Sequence, residues 1–274
     1  MYDLEKCQLA RSFIGHQRFV THVKFNNVAN IVLSAGADST IALWDIRSNK
    51  QIFRILAHPE PITSIDISAD STLISSSSYD CYVRLWDMMK GQCLKTMMAD
   101  AGSKDPISFC RMTPYTSEHM LFGNMNSSMG LYNYQNDLLK EYKGHLNESY
   151  QIDVKFVKNE RSGRPMILSG SEDGCLYGWD LNSQRLQIKL PIIPETEDDM
   201  LQQADEAGAG RFKISQEQLQ LEKKQHSTIF NMDYAPEHET LALCGNFGDI
   251  RLINSNIEGL VEQSRILKEQ PRCL

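Results

Sequence analysis

The chain has 274 residues, 41% of them hydrophobic and 23% charged, a soluble-globular composition long enough for one large core or two small ones. A net charge of −7 and a pI near 5.5 supply no basic field for phosphate backbones, so nucleic acid is not an expected direct partner. No run approaches the roughly 18 consecutive apolar residues of a membrane span. No basic and apolar leader opens the sequence, and the cysteines include no C-x-x-C pair, which together argue for an intracellular chain with no disulfide framework, metal site or cofactor.

In chain order, the opening stretch Tyr2 to Phe13, "YDLEKCQLARSF", aligns with "WDIRSNKQIFRI" and "WDMMKGQCLKTM" further on. It reads as an outer strand that follows a degenerate Trp-Asp dipeptide. The repeat then becomes plain: Trp44-Asp45 recurs 42 positions on as Trp86-Asp87, degenerately as Tyr132-Asn133, again as Trp179-Asp180, and weakly at Ile253-Asn254. Each copy opens near a histidine or its substitute and carries short alternating runs such as "THVKF", "IVLSA" and "IALWDI", split by turn residues such as "GADS" and "SEDG". Four short strands per copy follow. Three copies keep a His, a Ser, an Asp and a Trp at matching offsets: His16, Ser34, Asp38 and Trp44; His58, Ser76, Asp80 and Trp86; His145, Ser169, Asp173 and Trp179.

Those motifs resemble the WD-repeat family, in which each repeat builds a four-stranded antiparallel blade of a β-propeller. The resemblance implies an all-β fold with five blades and one leftover outer strand. The four residue types match the buried hydrogen-bonding set of that family, and their chemistry suits it: an indole donor, a hydroxyl that rotates, a neutral imidazole and a carboxylate close a chain of bonds without water. A Ser-His-Asp triad repeated in three copies is the signature of a strut, and no nucleophile elbow accompanies it. The third copy loses the set, with Phe122, Asn126 and Tyr132 at the polar positions, and the fifth carries Leu243 and Phe247; both copies must rely on apolar packing.

The domain reading is therefore blades over residues 1–191, with 1–14 the leftover outer strand; an acidic insertion over 192–225; a last repeat over 226–266, its outer strand near Leu260 to Ile266; and a polar tail over 267–274. The insertion carries two prolines, an acidic run and "GAG", with a short capped helix expected after Ser215. Counted this way, the chain reads as the C-terminal five-sevenths of a seven-bladed propeller, with a five-bladed ring or completion by another chain as the alternatives.

A narrower resemblance is carried by "LISSSSYDCYVRLWDMMKGQCLKT", "PISFCRMTP" and "LKEYKGHLNESYQ" followed by "ILSGSEDGCLYGWDL". These are similar to the WD-repeat subunit of COMPASS-type histone H3 lysine-4 methyltransferase complexes. That resemblance implies a non-catalytic nuclear scaffold, with a cytoplasmic share also open, whose partners are complex subunits and a histone tail, not a small molecule, nucleic acid or membrane. It also implies a central opening that takes an arginine side chain. Tyr79 and Tyr150 match tyrosines of that opening, while Thr21 and Asp153 stand where the family places two phenylalanines that sandwich the guanidinium. On the second partner face Leu131, Phe156 and Asn182 match. A different reading rests on "WDIR", Trp44 to Arg47, which matches the W-D-x-R motif of substrate receptors for cullin-4 ubiquitin ligases.

Overall fold

The computed structural model describes residues 1–3, 5–98, 104–115, 118–158, 163–192, 228–238, 240–246, 250–254 and 257–269. The acidic insertion beyond residue 192, its short helix after Ser215, His226, Phe247 and residues 270–274 of the tail lie outside the described residues.

The chain forms five antiparallel blades, four of them four-stranded and the fifth three-stranded among the described residues. A two-stranded hairpin precedes them: β1 (Tyr2–Asp3) pairs with β2 (Gln8–Leu9). The first blade holds β3 (Val20–Phe25), β4 (Ile31–Gly36), β5 (Thr40–Asp45) and β6 (Lys50–Leu56). The second holds β7 (Ile62–Ile67), β8 (Leu73–Ser78), β9 (Val83–Asp87) and β10 (Cys93–Met97). The third holds β11 (Ile107–Met112), β12 (His119–Asn124), β13 (Ser128–Asn133) and β14 (Leu138–Lys143). The fourth holds β15 (Val154–Lys158), β16 (Pro165–Ser169), β17 (Cys175–Asp180) and β18 (Leu186–Pro191). The fifth holds β19 (Ile229–Ala235), β20 (Thr240–Gly245) and β21 (Ile250–Asn254).

The same turn chemistry sets the register in the first four blades. Between the second and third strands, the side chains of Asp38, Asp80, Asn126 and Asp173 each accept the backbone N–H two residues on, at 3.3, 3.1, 3.2 and 3.1 Å. The residue between takes a left-handed conformation in every case: Ser39, Cys81, Ser127 and Gly174 have φ of 62, 69, 63 and 76°. An Asx turn stabilises that strained position even where no glycine is present. The next turn is built alike, with Asp45, Asp87, Asn133 and Asp180 capping the amides that follow.

The N-terminal hairpin repeats this second turn. Asp3 Oδ1 accepts from the amides of Glu5 and Lys6 at 3.0 and 3.2 Å, and Cys7 has a φ of 50°. Its pairing of Tyr2 with Leu9 and Asp3 with Gln8 has the spacing of Trp44 with Gln51 and Asp45 with Lys50. The stretch expected as one outer strand is thus an outer hairpin with two short strands, because the Asp3 turn folds it back on itself.

The chain divides into two compact units, residues 1–143 and 144–274. In the first, Leu33, Ile41 and Leu43 of one blade pack with Ile62, Ile65 and Ile74 of the next, and Val83, Leu85 and Met97 pack with Cys110, Met112 and Phe122. Arg111, buried, ties three blades together: Nη1 donates to Ser64 Oγ and the Ile65 carbonyl, both at 2.9 Å, and Nη2 lies 2.9 Å from His22 Nε2. In the second unit, Leu168, Leu176 and Ile188 pack with Ile229, Met232 and Leu241.

The structure corrects one element. The segment expected as a last outer strand near Leu260 to Ile266 is a helix, α1 (Ile257–Glu269). Ile257, Leu260, Val261 and Ser264 recur at helical spacing and share one face, a period that overrides the strand reading drawn from the repeat. Ile257 and Leu260 are fully buried in the cluster that includes Ile188 and Leu190. Ser264 covers the free edge of β18: its Oγ accepts the Lys189 amide at 2.9 Å and donates to the Lys189 carbonyl at 3.3 Å. A side chain thereby satisfies edge groups that a strand would otherwise pair.

Leu260→Ala is expected to lower the unfolding free energy of the second unit by about 2–5 kcal/mol in denaturant titration, whereas Glu262→Ala on the exposed face stays within about 0.5 kcal/mol. Equal effects would contradict the placement of the helix.

Candidate functional site

In the first two blades the polar quartet is a closed chain of bonds. Trp44 Nε1 donates to Ser34 Oγ at 2.8 Å, Ser34 Oγ lies 2.7 Å from His16 Nε2, and His16 Nδ1 lies 3.0 Å from Asp38 Oδ1. The carboxylate acceptor places the proton on Nδ1, so Nε2 accepts from the serine hydroxyl. Burial would raise the Asp38 carboxyl, but the Gln17 amide, the Thr40 hydroxyl and His16 hold it down at about 2. Arg54 Nη2 adds a 2.8 Å contact to the same carboxylate. The second blade repeats the chain through Trp86, Ser76, His58 and Asp80 at 2.9, 2.8 and 2.9 Å. Burial pushes the His58 imidazole down, with Asp80 opposing. Ser76 is fully buried and both its bonding directions are taken, so the triad-like geometry gives a strut with no room for a substrate.

Gly36 belongs to this arrangement. A Cβ there would lie 2.9 Å from His16 Nδ1 and 2.8 Å from Asp38 Oδ1, so a side chain at this position of the first blade would push the imidazole and carboxylate aside.

The third blade replaces the chain by stacking. Phe122 and Tyr132, at the serine and tryptophan positions, lie parallel with centroids 4.0 Å apart. Asn126 turns outward and donates to Asp105 at 2.9 Å.

The fourth blade departs from the expected quartet, and the cause is Tyr177, at the position of Ala42 and Arg84 in the first two blades. Its hydroxyl donates to Asp173 Oδ2 at 2.6 Å, taking the carboxylate that His145 would use. Ser169 Oγ donates to the Gly170 carbonyl at 2.8 Å, and His145 Nδ1 has no hydrogen-bond partner among the described residues. His145 instead sits edge-on to Trp179, centroids 5.5 Å apart, and Tyr177 stacks on that indole at 5.7 Å. Burial pushes the His145 imidazole down to about 4, with Asp173 opposing. Burial and the Asp173 charge push the Tyr177 hydroxyl up.

The residues matched to an arginine-binding opening fall in both units. In the first, Thr21 is half-buried with its hydroxyl donating to the Ala35 carbonyl at 3.2 Å, and Tyr79 is exposed at the turn after β8. In the second, Tyr150 packs tilted on Phe230 with centroids 5.3 Å apart, and Asp153 Oδ1 accepts the Val154 amide at 2.8 Å while its own amide donates to the Phe230 carbonyl at 2.9 Å. Of the residues matched to a second partner face, Leu131 is buried inside its blade, Phe156 is half-buried on β15, and Asn182 is exposed with its amide capped by Asp180. Arg47 is exposed at the turn after β5, with its amide donating to Asp45.

Residues 7–45, 49–87 and 136–180 match the family model described as WD domain, G-beta repeat. Each matched segment runs from an outer strand into the three inner strands of the next blade. The chain is 29% identical over 193 residues to the COMPASS component SWD3 of Saccharomyces cerevisiae, a match covering 65% of this chain and 60% of that protein. It is 32% identical over 83 residues to eukaryotic translation initiation factor 3 subunit I of Debaryomyces hansenii, covering 30% of this chain and 24% of that one. It is 28% identical over 170 residues to WD repeat-containing protein 1 of Xenopus tropicalis, covering 60% and 27% respectively. The chain thus spans less than two thirds of the length of these relatives.

Ser34→Ala and Ser76→Ala each leave a buried indole N–H and an imidazole nitrogen without their partner and should cost about 1–3 kcal/mol, whereas Ser169→Ala should cost under about 1 kcal/mol; chemical denaturation of the three variants checks the order. His145 also sets a pH dependence. Its folded value near 4 lies below the ordinary 6.5, so protons bind the unfolded chain more tightly. The stability that this group contributes is complete above pH 6.5 and is lost as pH falls toward 4, on the order of 3 kcal/mol. His145→Leu should flatten the stability profile of the second unit in that window, and an unaltered slope would contradict the assignment.

Proposed function

We propose that this chain, a WD-repeat β-propeller protein, is a non-catalytic scaffold subunit of a COMPASS-type complex that methylates histone H3 lysine 4, and that it works in the nucleus. The observation that carries the reading is the similarity to the COMPASS component SWD3, sustained over 193 residues. The similarity to the initiation-factor subunit spans 83 residues, the length that two WD repeats share with many others. The tracts around "PISFCRMTP" and "GHLNESYQ" reach beyond the repeat signature.

A scaffold of this kind works by presenting loops from rigid sheets. In the second unit, Tyr150 offers a ring face and Asp153 a carboxylate, a pairing that suits a guanidinium or ammonium group of a histone tail or complex subunit. Where the family has a phenylalanine, this chain has Asp153, so within the second unit the cation is held by charge and one ring face in place of a sandwich. The affinity for an arginine-bearing peptide is therefore modest. Phe156 and Asn182 supply the second partner contact in this reading, and Leu131, buried in the third blade, packs within its own sheet.

Affinity purification of the endogenous protein tests the assignment. Recovery of methyltransferase-complex subunits is the expected result; recovery of initiation factors or of a cullin-4 ligase adaptor, in the latter case lost in Arg47→Ala, would overturn it. On the binding surface, Asp153→Ala, which removes the carboxylate, should weaken binding of a histone H3 N-terminal peptide at least about fivefold. Fluorescence anisotropy reads this, and binding unchanged in the variant would contradict the proposed cation site.

A further inference from the structure

The loop between His145 and β15, residues 146–153, is longer than its counterparts, which cross from His16 to Val20 and from His58 to Ile62. An extended surface loop ordinarily gains mobility. This one is held by the strand turn beneath it. Leu146 is clamped by Ser171, whose Oγ accepts the Leu146 amide at 2.9 Å and donates to the Leu146 carbonyl at 3.2 Å. The Glu172 amide donates to the same carbonyl at 2.9 Å.

Glu172 then does what the residues at this position in the first three blades cannot do. Its side chain, 3% exposed, turns under the loop, and Oε1 accepts three successive backbone amides: Glu148 at 2.8 Å, Ser149 at 2.6 Å and Tyr150 at 3.0 Å. The matching positions in the first three blades, each donating its amide to the strand-entry loop in the same way, are Ala37, Tyr79 and Met125. None of these carries a carboxylate. A buried carboxylate is costly unless its charge is met, and three converging N–H groups meet it while fixing the backbone at three consecutive residues. Beyond them the loop is fastened again, by the Asp153 amide on the Phe230 carbonyl, by the fully buried Ile152, and by the Tyr150 ring on Phe230.

We infer that Glu172 is a positioning residue for a cation-binding loop: its carboxylate preorganises residues 148–150 so that Tyr150 and Asp153 meet a basic side chain of a partner peptide without first ordering the loop. This deepens the cation-site reading of the preceding section and rests on it. Preorganisation raises affinity by removing the ordering cost at the moment of binding. The Glu172 charge is met by backbone amides of the loop itself, so in this reading the partner's cation is addressed by Tyr150 and Asp153.

The test uses the full chain and the histone H3 N-terminal peptide as probe, with Glu172→Ala, Glu172→Gln and Glu172→Asp variants. Binding is read by anisotropy, folding by thermal melting, and the loop by amide hydrogen exchange at residues 148–150. Glu172→Ala and Glu172→Asp are expected to weaken binding at least tenfold and to speed exchange at those amides at least tenfold. Glu172→Gln, whose amide oxygen still accepts, is expected to stay within threefold on both measures. Should Glu172→Ala fail to fold, Glu172→Asp against Glu172→Gln carries the comparison alone. Wild-type binding that persists unchanged in Glu172→Ala and Glu172→Asp overturns the positioning role and leaves the cation site standing. Absence of wild-type binding overturns the cation site itself, and the positioning role with it. A loss of affinity shared equally by Glu172→Gln, with unchanged exchange at residues 148–150, also counts against the inference.

Discussion

The hydrogen-bond chain from Trp44 through Ser34 and His16 to Asp38 is the constraint around which the first blade is arranged. It joins the third strand, the second strand, the loop that enters the blade and the turn that reverses it, so four separate parts of the sequence share one set of polar groups. Each group is buried, and each would cost free energy if left unmatched. The strained left-handed residue at Ser39, the glycine at Gly36 and the arginine at Arg54 all follow from it: one lets the turn close on Asp38, one clears room for the imidazole, and one balances the carboxylate.

Later blades reach the same shape by other means. The third gives up the polar chain for a parallel Phe122 and Tyr132 stack, which needs no partner for either ring face. The fourth keeps all four residue types yet breaks their order, since Tyr177 captures Asp173 and leaves His145 to pack against Trp179. The fifth gives up its outer strand among the described residues, and α1 closes over the edge of its neighbour through Ser264. The backbone framework of the first four blades is held by common turn chemistry, which is why such different interiors can be accommodated.

Much of this was legible in the sequence. The blade strands were readable because alternation and Asx turns recur at a fixed period, and the quartets of the first two blades because four residue types kept their offsets. Three features were less legible, each for a physical reason. The repeat pattern drew "EGLVEQSRIL" into a strand, although Ile257, Leu260 and Val261 already carried helical spacing. The fourth quartet matched by residue type, while its outcome was decided by Tyr177, a neighbour outside the pattern whose hydroxyl competes for the same carboxylate. Glu172 carried no motif at all. Its signal lay in the excess length of its own blade's entry loop combined with an acid where the other blades have Ala37, Tyr79, Met125 and Asn246.

The scaffold reading gains its physical sense from these contrasts: blades hardened by buried polar chains, and one long loop fixed in place by Glu172. Its foundation is that matching residues are energetically coupled in one blade and uncoupled in another. A double-mutant cycle measures this directly, pairing Ser34→Ala with His16→Phe in the first blade and Ser169→Ala with His145→Phe in the fourth. The account predicts a coupling of about 1 kcal/mol or more for the first pair and within about 0.5 kcal/mol of zero for the second. Equal coupling in the two blades would contradict it.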